Sequence, residues 1–192
     1  MSDYDLVIVG GGPAGASAAI FAARAGLNTL VIDNDRGMTR RAMLNNHLGF
    51  PDGITGPDLV DAGRKHAENA GAAWVDGKVT AIAAGDDAVT VTTEGGDSHS
   101  GADVLLTIGA NVKLAGEAGI DTKDGTEPHI NTVIATDVEG RTSTARVWAA
   151  GTAGGVSVHT IVTAGDGARV AVNIISARNG ERYADHDVLP SN

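Results

Sequence analysis

The chain of 192 residues contains no cysteine and carries a formal net charge of −10 at pH 7. This length is enough for one globular domain with its own core, so we expect a single domain over residues 1–192. The negative charge disfavours nonspecific binding to nucleic acid or to an anionic membrane surface. The lack of cysteine excludes a disulfide, a Cys-x-x-Cys redox centre and a thiolate metal site within these residues.

The composition also bears on the environment of the protein. The sequence has 24 acidic residues against 14 lysines and arginines. Such a surface stays hydrated at high salt, which favours a halophilic source, with an ordinary acidic cytosolic protein as the alternative. The apolar run Leu6–Val9 is too short for a signal peptide, and no run of about 18 apolar residues predicts a membrane span. We therefore expect a cytoplasmic location.

The N-terminal segment is predicted to form a strand, a tight turn, a helix and a second strand. Asp5–Val9 is apolar and ends in glycines, Pro13–Gly26 is rich in alanine, and Thr29–Ile32 has the composition of a strand. Pro13 suits the first turn of a helix, where its missing N–H would have no partner, and Gly26 suits the position just after the helix.

The middle of the chain changes its periodicity twice. Helical spacing predicts a helix over Pro57–Gly71. The runs Ala73–Ala83 and Ala88–Thr93 flank a Gly-Asp-Asp turn and predict an antiparallel hairpin, followed by a third strand over Val104–Ile108. The polar, glycine-rich stretch Lys113–Pro128 has no clear periodicity and is the only place where the pattern allows a linker, but no second domain is predicted after it.

The last part of the chain completes the predicted fold. Ile130–Ala135 and Arg146–Ala150 have the pattern of two further strands, and Val158–Ala177 that of a long closing helix. The fold class is therefore α/β: a Rossmann-type parallel sheet, an antiparallel β-meander and a final helix that returns to the first strand.

A glycine motif joins the first strand to the first helix. Gly10, Gly12 and Gly15 form G-x-G-x-x-G, and Asp33 ends the second strand. The glycines allow a tight turn, close approach of the backbone to a pyrophosphate and close packing of the helix, while the carboxylate can bind both ribose hydroxyls of an adenosine. The alternative is a tight turn in an α/β protein that binds no nucleotide.

Longer segments resemble bacterial and archaeal thioredoxin reductases, which are FAD-dependent pyridine nucleotide-disulfide oxidoreductases. The opening "DLVIVGGGPAG" is similar to the FAD fingerprint of that family, and "NHLGFPDGITGPDLVDAGRKHAE" to the stretch beneath its flavin ring. "TIGA" resembles the turn before the NADPH domain, "RTSTARVWAAG" the segment that returns from it, and "TAGDGARVAV" the final helix. The resemblance implies a flavoprotein.

Carried over by position, the resemblance implies a set of FAD contacts and no catalytic or metal-binding residue. Gly10 to Gly15 would hold the pyrophosphate, Asp33 the adenosine ribose and the Val79 backbone the adenine, and Asn46 would lie against the isoalloxazine. The full cofactor-binding set is Gly10, Gly12, Pro13, Ala14, Gly15, Asp33, Asn34, Arg41, Asn46, Val79, Thr107, Gly109, Gly151, Thr152, His159 and Thr160.

The sequence departs from the family pattern in three places. The NADPH domain and its Cys-x-x-Cys are missing between about residues 110 and 130, which excludes a self-sufficient thioredoxin reductase within these residues. The family's Gly-Asp motif is Gly151-Thr152 here, without the charge that meets the ribityl chain. The family's Gly-Gly-Gln is replaced by Arg36-Gly37-Met38, and the arginines that follow lie in a solvated loop or neutralise an anion.

The remaining polar and aromatic residues give few signals. His159 stands where the family presents a Gln and a helix N-terminus to the flavin pyrimidine edge; a helix-cap or surface histidine is the alternative. The other histidines have no paired metal spacing. The two tryptophans lie in predicted strands, which favours core packing over cofactor stacking.

Three functions are consistent with this pattern. The leading one is an FAD-binding oxidoreductase or electron-transfer flavoprotein whose donor and acceptor reside on other molecules, including an external redox partner protein. The others are a noncatalytic FAD-binding or redox-sensing module and a flavin-free interaction subunit. The resemblance also implies a homodimer, and neither nucleic acid nor membrane is expected as a partner.

Overall fold

The computed structural model describes residues 2–189. The predicted first strand, first helix, second strand, second helix and final helix are all present. In chain order the elements are β1 (Tyr4–Val9), α1 (Pro13–Arg24), β2 (Thr29–Asp33), a 3₁₀ turn (Met38–Arg41), β3 (Met43–Leu44), β4 (Ile54–Thr55), α2 (Gly56–Asn69), β5 (Ala73–Asp76), β6 (Val79–Ala84), β7 (Val89–Thr93), β8 (Ser98–Leu106), α3 (Lys113–Glu117), β9 (Thr122–Asp124), β10 (Thr132–Ile134), β11 (Val147–Ala149), a second 3₁₀ turn (Gly151–Gly154) and α4 (Thr160–Asn179).

The main sheet combines a parallel half with an antiparallel half. Its strands pair in the order β5-β2-β1-β8-β7-β6, and β11 pairs with β8 as well. Strands β5, β2, β1, β8 and β11 are mutually parallel, so their carboxyl ends meet at one edge. Strands β6, β7 and β8 form an antiparallel meander. The α/β fold class and its meander are therefore confirmed.

Strand β1 is buried on both faces, as expected for the centre of a parallel sheet. Leu6 and Ile8 pack on the helical side with α1 and α4, while Val7 and Val9 face a second cluster beneath the meander and α3. All four side chains are 5% exposed or less. Within residues 2–189, no helix is long and apolar enough to cross a membrane.

Two predicted segments differ from the structure. Ala73–Ala83 was expected to be one strand of a hairpin, but it is split by Gly77 into β5, which pairs with β2, and β6, which pairs with β7. The Gly77 N–H donates to the Asp33 carbonyl oxygen at 2.8 Å. Strands β5 and β6 are at opposite ends of the pairing order, yet only two residues separate them in the chain. The two ends of the sheet must therefore lie close together, so the meander folds back over one face of the parallel strands.

The segment Lys113–Pro128, where the sequence allowed a linker, is instead an ordered part of the domain. It contains α3 and β9, and Val112, Ala115 and Ile120 are buried in the core beneath the meander. Strand β10, predicted over Ile130–Ala135, pairs with β9 in a small antiparallel sheet. Three apolar residues among many polar and glycine residues were too sparse to predict this packing.

Helices α1 and α4 pack closely because α4 has a glycine at the crossing. A Cβ at Gly167 would overlap the backbone carbonyl of Ala14 in α1, whereas a Cβ at Gly165 would meet nothing within 4 Å. The two glycines are two residues apart on one helix and differ in environment. They therefore form a matched pair for testing this contact.

We predict that Gly167→Ala lowers the free energy of unfolding by about 1–3 kcal/mol, because the added methyl group forces the two helices apart. Gly165→Ala should raise it by up to about 1 kcal/mol, since alanine is the better helix former. Denaturant unfolding of both variants measures the difference. Equal stability of the two variants would contradict this account of the helix crossing.

Candidate functional site

The glycine turn lies at the carboxyl edge of the parallel strands, where open α/β sheets bind ligands. Strand β1 ends there with β2 as its neighbour on one side and β8 on the other. This position is the topological switch point of the sheet. The predicted residues Gly10, Asp33, Thr107 and Gly151 all follow or end strands at this edge.

The glycine turn is held by contacts that only glycine permits. Gly10 has φ +104°, and a Cβ there would lie 2.5 Å from the Thr107 carbonyl oxygen. A Cβ at Gly15 would overlap the Gly10 carbonyl oxygen and come within 2.7 Å of Thr107 Oγ1. The Thr107 hydroxyl group lies 2.7 Å from the Gly10 carbonyl oxygen and donates to it. Thr107 therefore fixes the turn from the neighbouring strand.

The N-terminus of α1 is open toward this turn. Gly12 is the N-cap, no side chain caps the helix, and its first turn holds no acidic residue. A Cβ at Gly12 would meet nothing within 4 Å. Free backbone N–H groups and the positive end of the helix dipole make such a terminus an anion-binding site. The cradle thus fits a pyrophosphate, with Pro13 and Ala14 in the first helical turn.

A pocket of about 500 Å³ extends from Asp33 along the ends of β2 and β5. The partly buried Asp33 ends β2, where one of its oxygens accepts the Asp35 N–H at 3.2 Å. The position fits the ribose of an adenosine whose pyrophosphate lies on the glycine turn. The pocket is lined by Asp33, Asn34, Asp35, Arg36, Arg40, Asp61, Arg64, Asp76, Gly77, Lys78 and Glu94.

Three of the four cationic side chains that line this pocket, those of Arg40, Arg64 and Lys78, are paired with acids. Arg40 lies 2.5 Å from Asp35 and 2.7 Å from Asp61. Burial by itself lowers the Arg40 pKa, but the two carboxylates outweigh it and the net pKa is raised. The hydrogen bond from Lys78 lowers the pKa of Glu94. The pocket is consequently a polar site with mixed charge and not a simple anion site.

The opposite side of the glycine turn is formed by the second 3₁₀ turn. Gly151 has φ +69°, and a Cβ there would lie 2.8 Å from the Ala14 side chain. The buried Asp166 of α4 accepts the Gly151 N–H at 2.8 Å, and Arg169 lies 2.8 Å from the same carboxylate. Thr152 is buried beside it. The carboxylate that holds this turn therefore comes from α4.

The start of α4 contacts the loop that carries Asn46. His159 is the N-cap and is exposed, while Thr160 is buried and lies 2.9 Å from His47 Nδ1. Burial of the imidazole lowers the pKa of His47. Asn46 itself is exposed on this loop. His47 also lines a second pocket together with Gly12 and Pro13, so this loop lies beside the start of α1.

The remaining predicted residues lie around this edge. Val79 is buried at the start of β6, directly after the pocket residues Gly77 and Lys78. Gly109 has φ +66° and follows β8. Arg41 is exposed on the first 3₁₀ turn, and it is Arg36 and Arg40 that line the pocket. Of the two tryptophans, Trp148 is buried in the core and Trp74 is partly buried.

Sequence reasoning missed several residues of the site. Asp76 and Lys78 line the pocket because β5 is a parallel strand beside β2, and the break at Gly77 was the available signal. Asp166 was unremarked inside a predicted helix, and no local pattern shows that it reaches Gly151. Within the described residues, no group of three His, Asp or Glu side chains is placed to hold a metal ion.

Sequence comparisons confirm the resemblance to thioredoxin reductases. The profile of the pyridine nucleotide-disulphide oxidoreductase family matches residues 4–57. The chain is 35% identical over 130 residues to the thioredoxin reductase of Streptomyces coelicolor, covering 65% of this chain and 40% of the relative. For that of Aquifex aeolicus the identity is 38% over 112 residues, covering 56% and 34%. The chain thus spans less than half the length of these relatives.

Solved structures confirm the fold. A thioredoxin reductase from Gloeobacter violaceus superposes with a TM-score of 0.77 at 17% identity, covering 98% of each chain. The atypical thioredoxin reductase TRi from Desulfovibrio vulgaris Hildenborough gives 0.74 at 23% identity, covering 92% of this chain and 98% of that one. The chain therefore has the Rossmann-type fold of these structures, and its sequence carries thioredoxin-reductase-like motifs.

The two glycines at the start of α1 should respond differently to alanine. Gly12→Ala should change the free energy of unfolding by less than about 1 kcal/mol, because the added Cβ points into open space. The same Cβ should weaken FAD binding by about tenfold or more, because it occupies the pyrophosphate cradle. Gly15→Ala should lower stability by about 1–3 kcal/mol. Chemical unfolding and FAD titration measure both effects, and undiminished FAD affinity in Gly12→Ala would contradict the cradle.

Proposed function

We propose that the chain binds one FAD noncovalently at this edge and acts as an oxidoreductase or electron-transfer flavoprotein, with its electron donor and acceptor on other molecules. The observation that carries the proposal is the open N-terminus of α1 beside Asp33, at the switch point of the sheet. The turn that precedes this helix contains the one G-x-G-x-x-G motif in the sequence. A single such turn supports one bound dinucleotide.

The residues of the chain bind and orient the cofactor. The α1 N-terminus and the glycine turn would hold the pyrophosphate, and Asp33 would accept hydrogen bonds from the ribose. The backbone at Val79 would meet the adenine. FAD, when bound, supplies the hydride and electron chemistry. Noncovalent attachment is favoured because the 192 residues hold no cysteine for a thioether link.

External electron partners are favoured by what lies between β8 and β10. In the resembled family an NADPH domain and its disulfide stand there, whereas here the segment contains the short α3, which packs against the domain core, and the exposed β9, which pairs with β10. A nicotinamide would have to reach the flavin without a dedicated pocket. Since positioning supplies much of the catalysis of hydride transfer, this route should be slow.

Stopped-flow measurement of flavin absorbance at about 450 nm tests the proposed function under anaerobic conditions. NADH and NADPH should bleach the flavin slowly and without saturation, while a protein or dithiol donor should reduce it and an external acceptor reoxidise it. Rapid, saturable bleaching by micromolar nicotinamide would identify a self-sufficient reductase. A bound flavin that no donor reduces would indicate a noncatalytic or sensing module, and a flavin-free protein an interaction subunit.

We also propose that the chain forms a homodimer. We further propose that it functions in the cytoplasm of a halophilic organism. The family resemblance implies pairing through flavin domains, and large apolar side chains are exposed near the flavin side, with Leu48 85% and Met43 56% exposed. Light scattering at micromolar protein in molar KCl should give twice the 19.3 kDa mass of one chain, with loss of the fold at low salt. A single-chain mass would contradict the dimer, and salt-independent stability the halophilic assignment.

A further inference from the structure

Three side chains form a hydrogen-bonded row at the start of α4. The Ser157 hydroxyl oxygen lies 3.0 Å from Glu127 Oε2 and 2.7 Å from His159 Nδ1. The backbone N–H of Val158 also donates to Glu127 Oε2 at 3.4 Å. Glu127 and Ser157 are partly buried, whereas His159 is exposed. Glu127 belongs to the segment in which the sequence allowed a linker.

The chemistry of these groups fixes where the protons lie. A carboxylate, the form of glutamate at neutral pH, only accepts hydrogen bonds, while a hydroxyl group has one proton to donate. Ser157 must therefore donate to Glu127 and accept from His159. If it donated to His159 instead, two oxygen acceptors would face each other at 3.0 Å with no proton between them.

This arrangement selects one tautomer of the histidine. Neutral imidazole carries a single N–H, so an N–H at Nδ1 leaves Nε2 unprotonated. The other histidine at this helix end, His47, lies against Thr160, and no carboxylate among the described residues is linked to it in this way. Glu127 thus contacts the segment just before α4, whereas His47 contacts the first residue of the helix.

We propose that Glu127 and Ser157 are positioning residues that hold His159 in its Nδ1–H tautomer. Nε2 is then the ring atom left to accept a hydrogen bond at the proposed flavin site. This inference rests on the proposed function for the flavin, but the tautomer is a property of the chain alone. The Ser157 hydroxyl group connects Glu127 to His159. The negative charge of Glu127 makes that hydroxyl group donate to the carboxylate and accept from the histidine.

Nitrogen-15 NMR of the flavin-free protein tests the tautomer, because the Nδ1 and Nε2 shifts of a neutral histidine report which nitrogen is protonated. His159→Gln identifies the signals. Wild-type His159 should be mainly Nδ1–H, Ser157→Ala should shift it toward Nε2–H, and Ser157→Thr should retain the wild-type state. Glu127→Ala should also shift it, because the released Ser157 hydroxyl can donate to Nδ1. Ser98→Ala, on β8, is the control that should change nothing.

Addition of FAD then tests the placement of His159. When absorbance shows that the flavin is bound, the His159 Nε2 signal should move while that of the remote His186 stays unchanged. A mainly Nε2–H wild-type tautomer, or an unchanged tautomer in Ser157→Ala, would overturn the positioning role. Bound FAD without a His159 response would overturn the placement, whereas a protein that binds no FAD would refute the proposed function and leave the tautomer result standing.

Discussion

The site depends on close backbone approach at the first turn of α1, which only glycine permits. Gly10 meets the backbone of Thr107, Gly15 meets the carbonyl group of Gly10, and Gly167 meets the backbone of Ala14. These contacts join the end of β1 to the end of β8 on one side and α1 to α4 on the other. They leave the α1 N-terminus open at the centre of the edge. The close contacts that shape the proposed pyrophosphate site are thus the same contacts that pack these elements together.

Charge shapes the rest of the site in a different way. The chain has a large acidic excess, yet the pocket beside Asp33 gathers arginines, of which Arg40 and Arg64 are bound by aspartates. Such pairs restrain the pocket walls more than they attract anions, because these positive charges already have partners. Affinity for a dinucleotide is then expected to come from backbone N–H groups and from the Asp33 hydrogen bonds, which salt screens less than exposed charges, together with Arg36, which has no ion pair among the described residues.

The sequence allowed the core of this arrangement to be predicted because its signals are local. The glycine motif, Pro13, the apolar β1 and Asp33 follow one another within one strand–helix–strand unit. The division of Ala73–Ala83 was missed because β5 and β6 have similar composition and differ only in their distant partners. Strand pairing over long sequence separations leaves no local signal.

The same limit applies to individual contacts of the site. Asp166 reaches Gly151 because α4 returns across the sheet, and Glu127 reaches Ser157 because α3 and β9 fold onto the domain. Neither approach follows from spacing along the chain. The motif residues that are proposed to bind the cofactor could be named in advance, whereas those that hold the motif's neighbours in place required the three-dimensional structure.

The most direct test of the account is a titration of the flavin-free protein with FAD, followed by absorbance, in wild type, Asp33→Ala and Asp87→Ala. The wild type and Asp87→Ala, which alters an exposed residue in the turn between β6 and β7 outside the pocket, should each bind one FAD per chain with equal affinity. Asp33→Ala should bind more weakly by about 1–3 kcal/mol, through lost ribose hydrogen bonds. A wild-type protein that takes up no FAD, or an Asp33→Ala variant of undiminished affinity, would contradict the account.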